Sequence, residues 1–261
     1  MLKLDAYKLK WIAIVGMALS HIYYAFPELI PFPLAMVLSA FGGVTFAIMA
    51  FFAVEGYRHT SNLAKYLGRL LIFGLIATPF HFLVIAMPNL NILFTIILGL
   101  IVLVLYDKIK IKVLFWLLYI IVIIPIATFY FEMMFIGVTM ILLFHIIRNE
   151  SARRIVPPLV SMALWLVLGA FTLWSISMNA LLPVAESPFR NAHFTASADF
   201  MMMLIPFGIV CGLTSILLKG YNNERGKRMK WFFYSFYPAH FIVLAAIGIA
   251  LGTISLSVFG F

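Results

Sequence analysis

Long apolar stretches separated by short polar segments recur from one end of this chain to the other. A helix needs about 20 apolar residues to cross a hydrocarbon core of about 30 Å. A chain in lipid must also satisfy its own backbone hydrogen bonds, which favours helices. The pattern therefore predicts about nine transmembrane helices. The predicted spans are residues 11–28, 34–56, 65–87, 90–106, 112–129, 132–147, 156–178, 200–218 and 230–257.

The basic residues indicate an orientation for these spans. If the N-terminus is cytoplasmic, all but one of the 18 Lys and Arg residues fall on the cytoplasmic side, and only Arg190 falls outside. Short cytoplasmic loops retain Lys and Arg. We therefore predict an all-α integral membrane protein, with the nine helices in a single bundle, the N-terminus cytoplasmic and the C-terminus outside. Residues 1–261 are expected to form one domain.

Composition supports this class. Hydrophobic residues make up 65% of the chain and charged residues 10%, whereas a soluble domain is about a quarter charged. The net charge of +9 is explained by loop topology and attraction to anionic membrane lipids, so no nucleic-acid partner is expected. Lys3, Lys8 and Lys10 before the first apolar run are also typical of a signal peptide. Because that run continues through Phe26, we expect it to be retained, in a multi-pass protein of the cell membrane.

Motifs for several common activities are missing. Cys211 is the only cysteine and lies within a span, which excludes a disulfide or thiol cluster within one chain. The chain has no zinc-protease motif, nucleophile elbow, P-loop or dinucleotide fingerprint, and no metal is expected. Two small-residue patterns, Gly208-x-x-x-Gly212 and Gly248-x-x-x-Gly252, predict close helix packing.

Ionisable side chains inside a membrane are costly and mark candidate functional sites. His21, His81 and His240 each follow a cytoplasmic basic residue by 10 to 12 positions, which places them at a shared depth near mid-membrane. An imidazole can accept and return a proton near neutral pH, although a buried His is often a hydrogen-bonded packing residue. No Asp or Glu adjoins them in sequence, so an orienting carboxylate would come from another helix.

A second polar group lies at the cytoplasmic ends of the second and third spans. Glu55 stands close to Arg58 and His59, and forms either a local ion pair at a solvated helix end or part of a binding site. Arg58, Lys65 and Arg69 supply the charged donors that a phosphate-rich ligand would need.

Polar residues also lie near the outer ends of the spans. Asn91 is expected to cap the fourth helix, and the deeper Thr95 is a candidate to face a cavity. Glu132 is expected to cap a helix in water. Tyr237 shares a helix face with His240, which makes it a further candidate for a polar pocket.

Three motifs stand out in combination. They are E-G-x-x-H-T at residues 55–60, K-Y-x-x-R-L at residues 65–70 and F-Y-P-x-H at residues 236–240. Together with an opening block that ends in His21 and a block at residues 91–100, they resemble the TraX family of membrane proteins over nearly the whole chain. Family members often carry Asp-His at the end of the opening block, whereas here Ser precedes the His.

The resemblance implies acyl transfer, because the family's eponym is associated with N-terminal acetylation of the conjugative pilin subunit. Cytoplasmic acetyl-CoA would be the co-substrate, and the acceptor would be an amine at or across the membrane. His21 would act as the base, with His240 and His81 as supporting acid, base or oxyanion donors. The expected donor-binding residues are Arg58, Lys65, Arg69 and His59.

Two other functions fit the same residues. A small-solute transporter would use the buried histidines as a proton relay. A noncatalytic assembly factor would instead dock a partner on the outer loop, residues 179–199. Binding of CoA as opposed to solute flux would separate the first two hypotheses, and tolerance to loss of all three histidines would indicate the third.

Overall fold

The structure, a computed structural model, describes residues 3–26, 28–87, 89–177 and 198–255. Over these residues it contains nine helices, one overlapping each predicted span, and no strands beyond two isolated bridges. The helices are α1 (Ala6–Ala25), α2 (Phe32–His59), α3 (Leu63–Ile85), α4 (Ile92–Lys108), α5 (Lys112–Tyr130), α6 (Met134–Ile146), α7 (Glu150–Ser177), α8 (Ala198–Lys219) and α9 (Lys230–Ala250).

The helices have the length and surface of a membrane bundle. Among the described residues, α2, α3, α5, α7 and α9 contain the five stretches that are long and apolar enough to cross a membrane. α5 turns apolar side chains outward, including Val113, Leu117 and Ile121. Such a face would be unfavourable in water and suits lipid. The nine crossings and the orientation stay predictions, which labelling can test as described below.

α2 is the central helix. It packs against α1, α4, α6 and α8. Gly43 allows close approach to α8, since a Cβ there would lie 2.3 Å from the carbonyl oxygen of Phe207. α9 packs against both α1 and α3, so the three helices that carry His21, His81 and His240 are neighbours.

The two small-residue patterns have different roles. Gly208 and Gly212 face α7, where an added Cβ would meet Trp165 and Met162 respectively, and the predicted close packing is confirmed. For the second pattern the prediction is wrong: Gly252 lies beyond the end of α9 with φ +74°. Its left-handed backbone favours glycine and ends the helix.

Two short backbone pairings hold the connecting segments. Leu4 N–H donates to Gly220 O at 2.9 Å, and Asn222 N–H donates to Leu4 O at 2.9 Å, which holds the segment between α8 and α9 over the start of α1. At the other end of the bundle, Glu132 N–H donates to Leu90 O at 2.9 Å. These pairings position residues that sequence patterns alone leave in loops.

Candidate active site

The end of α1 and the middle of α9 bring His21 and His240 into contact. His21 Nδ1 lies 2.8 Å from His240 Nε2, and both side chains are buried. His240 Nδ1 lies 3.1 Å from the carbonyl oxygen of Phe236, which can only accept a hydrogen bond. In the neutral pair this contact fixes the tautomers: His240 Nε2 accepts from His21 Nδ1–H, and the lone pair of His21 remains on Nε2.

The third histidine joins them around one aromatic ring. The Phe241 ring centroid lies 4.2 Å from that of His240, 4.7 Å from that of His21 and 5.4 Å from that of His81. His21 and His81 lie only four residues before the last residues of α1 and α3. The cluster is therefore nearer these helix ends than the predicted mid-membrane depth, because α1 and α3 end at residues 25 and 85 and not at residues 28 and 87.

A carboxylate from another element approaches His81. Glu132 Oε2 lies 3.4 Å from His81 Nε2, a separation typical of ion pairs but too poorly aligned for a hydrogen bond. The expectation that Glu132 caps a helix in water is wrong, because Met133 is the N-cap of α6 and the Glu132 side chain is only 14% exposed. One feature of the sequence could have singled out Glu132: it is the sole acidic residue between residues 113 and 149.

A cavity of about 840 Å³ enters the bundle from the opposite end. Its mouth is rich in basic side chains, several from the segment before α9, and its interior is mainly apolar. The basic residues that line it are Lys10, His59, Arg69, Arg225, Lys227, Arg228 and Lys230. The inner wall includes Met17, Ile48, Leu93, Ile96 and Tyr237.

The cavity ends close to the histidines without including them. Met17 and Tyr237 line its inner end, and each lies one helical turn before a member of the cluster, His21 and Phe241 respectively. The Tyr237 hydroxyl is buried beside the backbone N–H of Ile92, and its own O–H has no acceptor among the described residues. A ligand that fills the cavity therefore ends about one turn from the histidine pair.

The cavity mouth concentrates positive charge. Lys10 lies over the rings of Phe52 and Phe233, with Nζ 5.0 Å and 5.5 Å from their centroids. Partial burial and then the nearby charge of Arg225 lower the pKa of Lys10. A bound anion would offset the repulsion between these positive charges, so the mouth favours anionic ligands.

The predicted donor-binding residues occupy different environments. Arg69 and His59 line the cavity, whereas Lys65 is exposed and does not. The Arg69 guanidinium lies 5.8 Å from the ring centroids of Tyr66 and Tyr234. Its Nε has no hydrogen-bond partner among the described residues, so this side chain retains donor capacity.

Arg58 has a structural role that its sequence position did not reveal. Its Nη2 donates to the carbonyl oxygens of Phe144 at 3.3 Å and His145 at 2.8 Å. These carbonyls belong to the last turn of α6, where a cation complements the helix dipole. Arg58 thereby ties α2 to α6 and does not line the cavity.

Glu55 belongs to an ion-pair network. Its Oε1 accepts from Arg153 Nη1 at 2.7 Å, and Arg153 Nη2 donates to Glu150 at 2.9 Å. Arg154 donates to the second oxygen of Glu150 at 2.8 Å. The predicted local ion pair thus extends between helices, while Glu55 and Glu150 also form part of the cavity wall.

Asn91 is the predicted helix cap. Its Oδ1 accepts from Leu93 N–H at 3.1 Å, and its Nδ2 donates to Gly74 O and Thr78 Oγ1 at 3.0 Å and 3.2 Å. Thr95 is fully buried, its hydroxyl has no partner in the described part of the chain, and it does not line the large cavity.

Fold and site together define a helical membrane protein in which a basic cavity leads from one end of the bundle towards a buried histidine cluster. The chain belongs to the TraX family, since the family described as "TraX protein" matches residues 6–248. It is 28% identical to "Probable fimbrial assembly protein FimC, serogroup H1" of Dichelobacter nodosus, over 93% of this chain and 95% of that protein. No solved structure matches it. Within the described residues, no three His, Cys, Asp or Glu side chains are grouped to hold a metal ion.

Proposed function

We propose that this protein is a membrane-embedded acetyltransferase that moves an acetyl group from cytoplasmic acetyl-CoA to an amine at or across the cell membrane. The observation that carries the proposal is the alignment of a basic cavity with the His21–His240 pair one helical turn beyond its inner end. A phosphate-bearing donor with a long apolar arm matches both ends of that path.

The donor would bind with its phosphates at the mouth of the cavity. Arg69, Lys10 and Arg228 can form charge-assisted hydrogen bonds there, which are about twice as strong as neutral ones. The volume of about 840 Å³ falls within the range of about 300–1,000 Å³ that is usual for ligand sites. The thin pantetheine arm would pass between Met17 and Tyr237, and a flexible Met side chain suits such a passage.

The chemistry then needs one proton acceptor close to the thioester. The amine nitrogen attacks the thioester carbon and forms the C–N bond, while His21 Nε2 takes the proton from that nitrogen. As the C–S bond breaks, the same proton passes to the sulfur, which gives an amide and CoA. The Tyr237 hydroxyl, whose O–H is buried without an acceptor among the described residues, is the proposed donor to the oxyanion.

His240 would act as a positioning residue. By accepting from His21 Nδ1–H it holds the ring of His21 with Nε2 available, the role that an acidic neighbour often plays for a catalytic histidine. Ser20 does not take this role, because its hydroxyl donates to Met17 O at 3.0 Å. A partner from α9 therefore compensates for the family's preceding Asp.

The test is His21→Ala in purified protein, with turnover of labelled acetyl-CoA measured beside donor binding. We expect a loss of about 10²–10⁴ in rate, as for removal of a general base, with donor binding retained. His145→Ala is the matched control, since that histidine lies at the far end of α6 against Asp107. Turnover of His21→Ala within about threefold of the parent, less than 1 kcal/mol in barrier, would exclude His21 as the base.

A noncatalytic role in fimbrial assembly is the second candidate. It is favoured by the name of the relative from Dichelobacter nodosus. Under this alternative the purified protein binds no acetyl-CoA. In addition, a variant without His21, His81 and His240 would support assembly to the same extent as the parent.

A further inference from the structure

A largely buried carboxylate, that of Glu132, lies beside the histidine cluster. Within the described residues, the ion-pair neighbour of Glu132 is His81, and no Lys or Arg is paired with it. Its charge also acts on Tyr24, Tyr237 and His240. Burial of an unpaired carboxylate is costly, so a positive partner from outside the chain would stabilise it.

Buried polar atoms without hydrogen-bond partners gather in the same region of the described structure. His81 and Tyr237 both pack against Phe241, with ring centroids 5.4 Å away in each case. Native proteins contain few such atoms, and each calls for an explanation. The atoms are His81 Nδ1 and Nε2, Glu132 Oε2 and Tyr237 Oη, whose O–H has no acceptor among the described residues.

We infer that Glu132 and His81 form the binding subsite for the acceptor, and that the subsite takes it as a protonated primary amine. An ammonium group carries three donors and one positive charge. It would match a carboxylate oxygen and an imidazole nitrogen that both lack hydrogen-bond partners among the described residues. The inference rests on the proposed function and names the substrate class of that site.

The subsite lies on the other side of the cluster from the donor. Glu132 sits in the turn between α5 and α6, held by its backbone bond to Leu90, whereas the basic cavity opens at Lys10 and Arg228. The side chain of Glu132 retains 14% exposure, which leaves a route from that end of the bundle. Donor and acceptor would therefore reach the histidine pair from opposite ends.

The subsite also accounts for the extra proton that an ammonium group brings to the reaction. An ammonium must lose one proton before its nitrogen can attack, and His81 beside Glu132 is the proposed acceptor. The resulting amine forms the C–N bond, and His21 moves one further proton from the nitrogen to the sulfur as the C–S bond breaks. The products are the amide, CoA and one proton.

The test compares Glu132→Gln with the parent in purified protein, using benzylamine and benzyl alcohol as probes of the same size. Calorimetry should show that the parent binds benzylamine more tightly, and that Glu132→Gln weakens benzylamine binding about tenfold or more. Binding of benzyl alcohol should change by less than about twofold. Glu132→Asp, which keeps the charge, should keep the preference for benzylamine, and unchanged acetyl-CoA binding verifies that each variant is folded.

Equal losses for both probes, or no loss for either, would overturn the inference. A different result would overturn the proposed function. That result is a parent protein that transfers no acetyl group from acetyl-CoA to benzylamine, whatever the charge dependence of benzylamine binding. If the parent transfers acetyl groups and Glu132→Gln leaves the Michaelis constant for benzylamine unchanged, the inferred subsite is wrong and the proposed function stands.

Discussion

At the scale of single residues, the histidine pair gives the proposed base a hydrogen-bond acceptor that is not an acid. An Asp beside His21 would have to be desolvated in the bundle, which is costly unless the charge is fully paired. Neutral His240 supplies the same acceptor for His21 Nδ1–H at 2.8 Å. The Ser at position 20 is therefore compatible with a working base, because the hydrogen bond comes from α9.

Arg69 and Lys65 offer a matched pair for testing the donor site. Arg69→Ala should raise the Michaelis constant for acetyl-CoA about tenfold or more, because a charge-assisted contact contributes about 1.5–3 kcal/mol. Its turnover at saturation should change little, since phosphate contacts act mainly in ground-state binding. Lys65→Ala, on the same helix but outside the cavity, should stay within about twofold. Steady-state kinetics over a range of acetyl-CoA concentrations measures both.

A similar rise in both variants would mean that general attraction by the basic end of the bundle, and not a contact in the cavity, binds the donor. Repeating the assays at higher salt separates these cases, because long-range attraction is screened while a contact within a cavity is screened less.

At the scale of helices, the ion-pair network joins α2 to α7 at the cavity mouth. The Arg153 side chain is 3% exposed and bonds to Glu55 and Glu150. Arg153→Met should destabilise the protein by about 1.5–3 kcal/mol, the usual contribution of a charged hydrogen bond, since Glu55 would keep only its 4.0 Å contact with Arg58. Thermal denaturation in detergent, followed by loss of the monodisperse peak, should show a lower midpoint.

Arg148→Ala is the control on the same connection, because that side chain is exposed and surface substitutions change stability by less than about 0.5 kcal/mol. The double variant Glu55→Gln with Arg153→Met should recover part of the loss, since neither charge is then left alone. If Arg153→Met unfolds at the parent's midpoint, the network does not hold the two helices together.

At the scale of the whole molecule, the orientation of the bundle can be tested with single cysteines. After Cys211 is replaced by Ala, Ser187→Cys in the predicted outer loop should react with an impermeant thiol reagent in intact cells. Lys110→Cys, exposed between α4 and α5, should react only after the cells are opened. The physical reason is the retention of Lys and Arg in short cytoplasmic loops.

Labelling of Lys110→Cys but not Ser187→Cys in intact cells would reverse the predicted orientation. It would also place the basic cavity mouth outside, away from cytoplasmic acetyl-CoA, and would argue against the proposed direction of transfer. Protein levels of both variants, measured after denaturation with the same reagent, serve as the control.

The helices were accessible to prediction, while much of the site was not. The cap at Asn91 and the packing of Gly208 and Gly212 follow local rules, because the atoms involved lie on one helix or on its neighbour. The role of Glu132 was not predicted, because its side chain turns inward from the turn between α5 and α6. No rule of local spacing gives that direction. Arg58 escaped because its partners are carbonyl groups at the end of α6, which any sequence would supply.

The sequence by itself determined the membrane class and the stretches that form helices, because apolar transfer energy is summed along windows of about 20 residues. The family was indicated by the motifs at residues 55–60, 65–70 and 236–240. Tertiary structure alone decided that His21 meets His240, 219 positions away, that His81 faces Glu132, and that the cavity stops at Met17. These contacts depend on how each helix is rotated and packed against its neighbours. In lipid that choice rests on small residues and side-chain shape and not on hydrophobicity, which is nearly uniform around each helix.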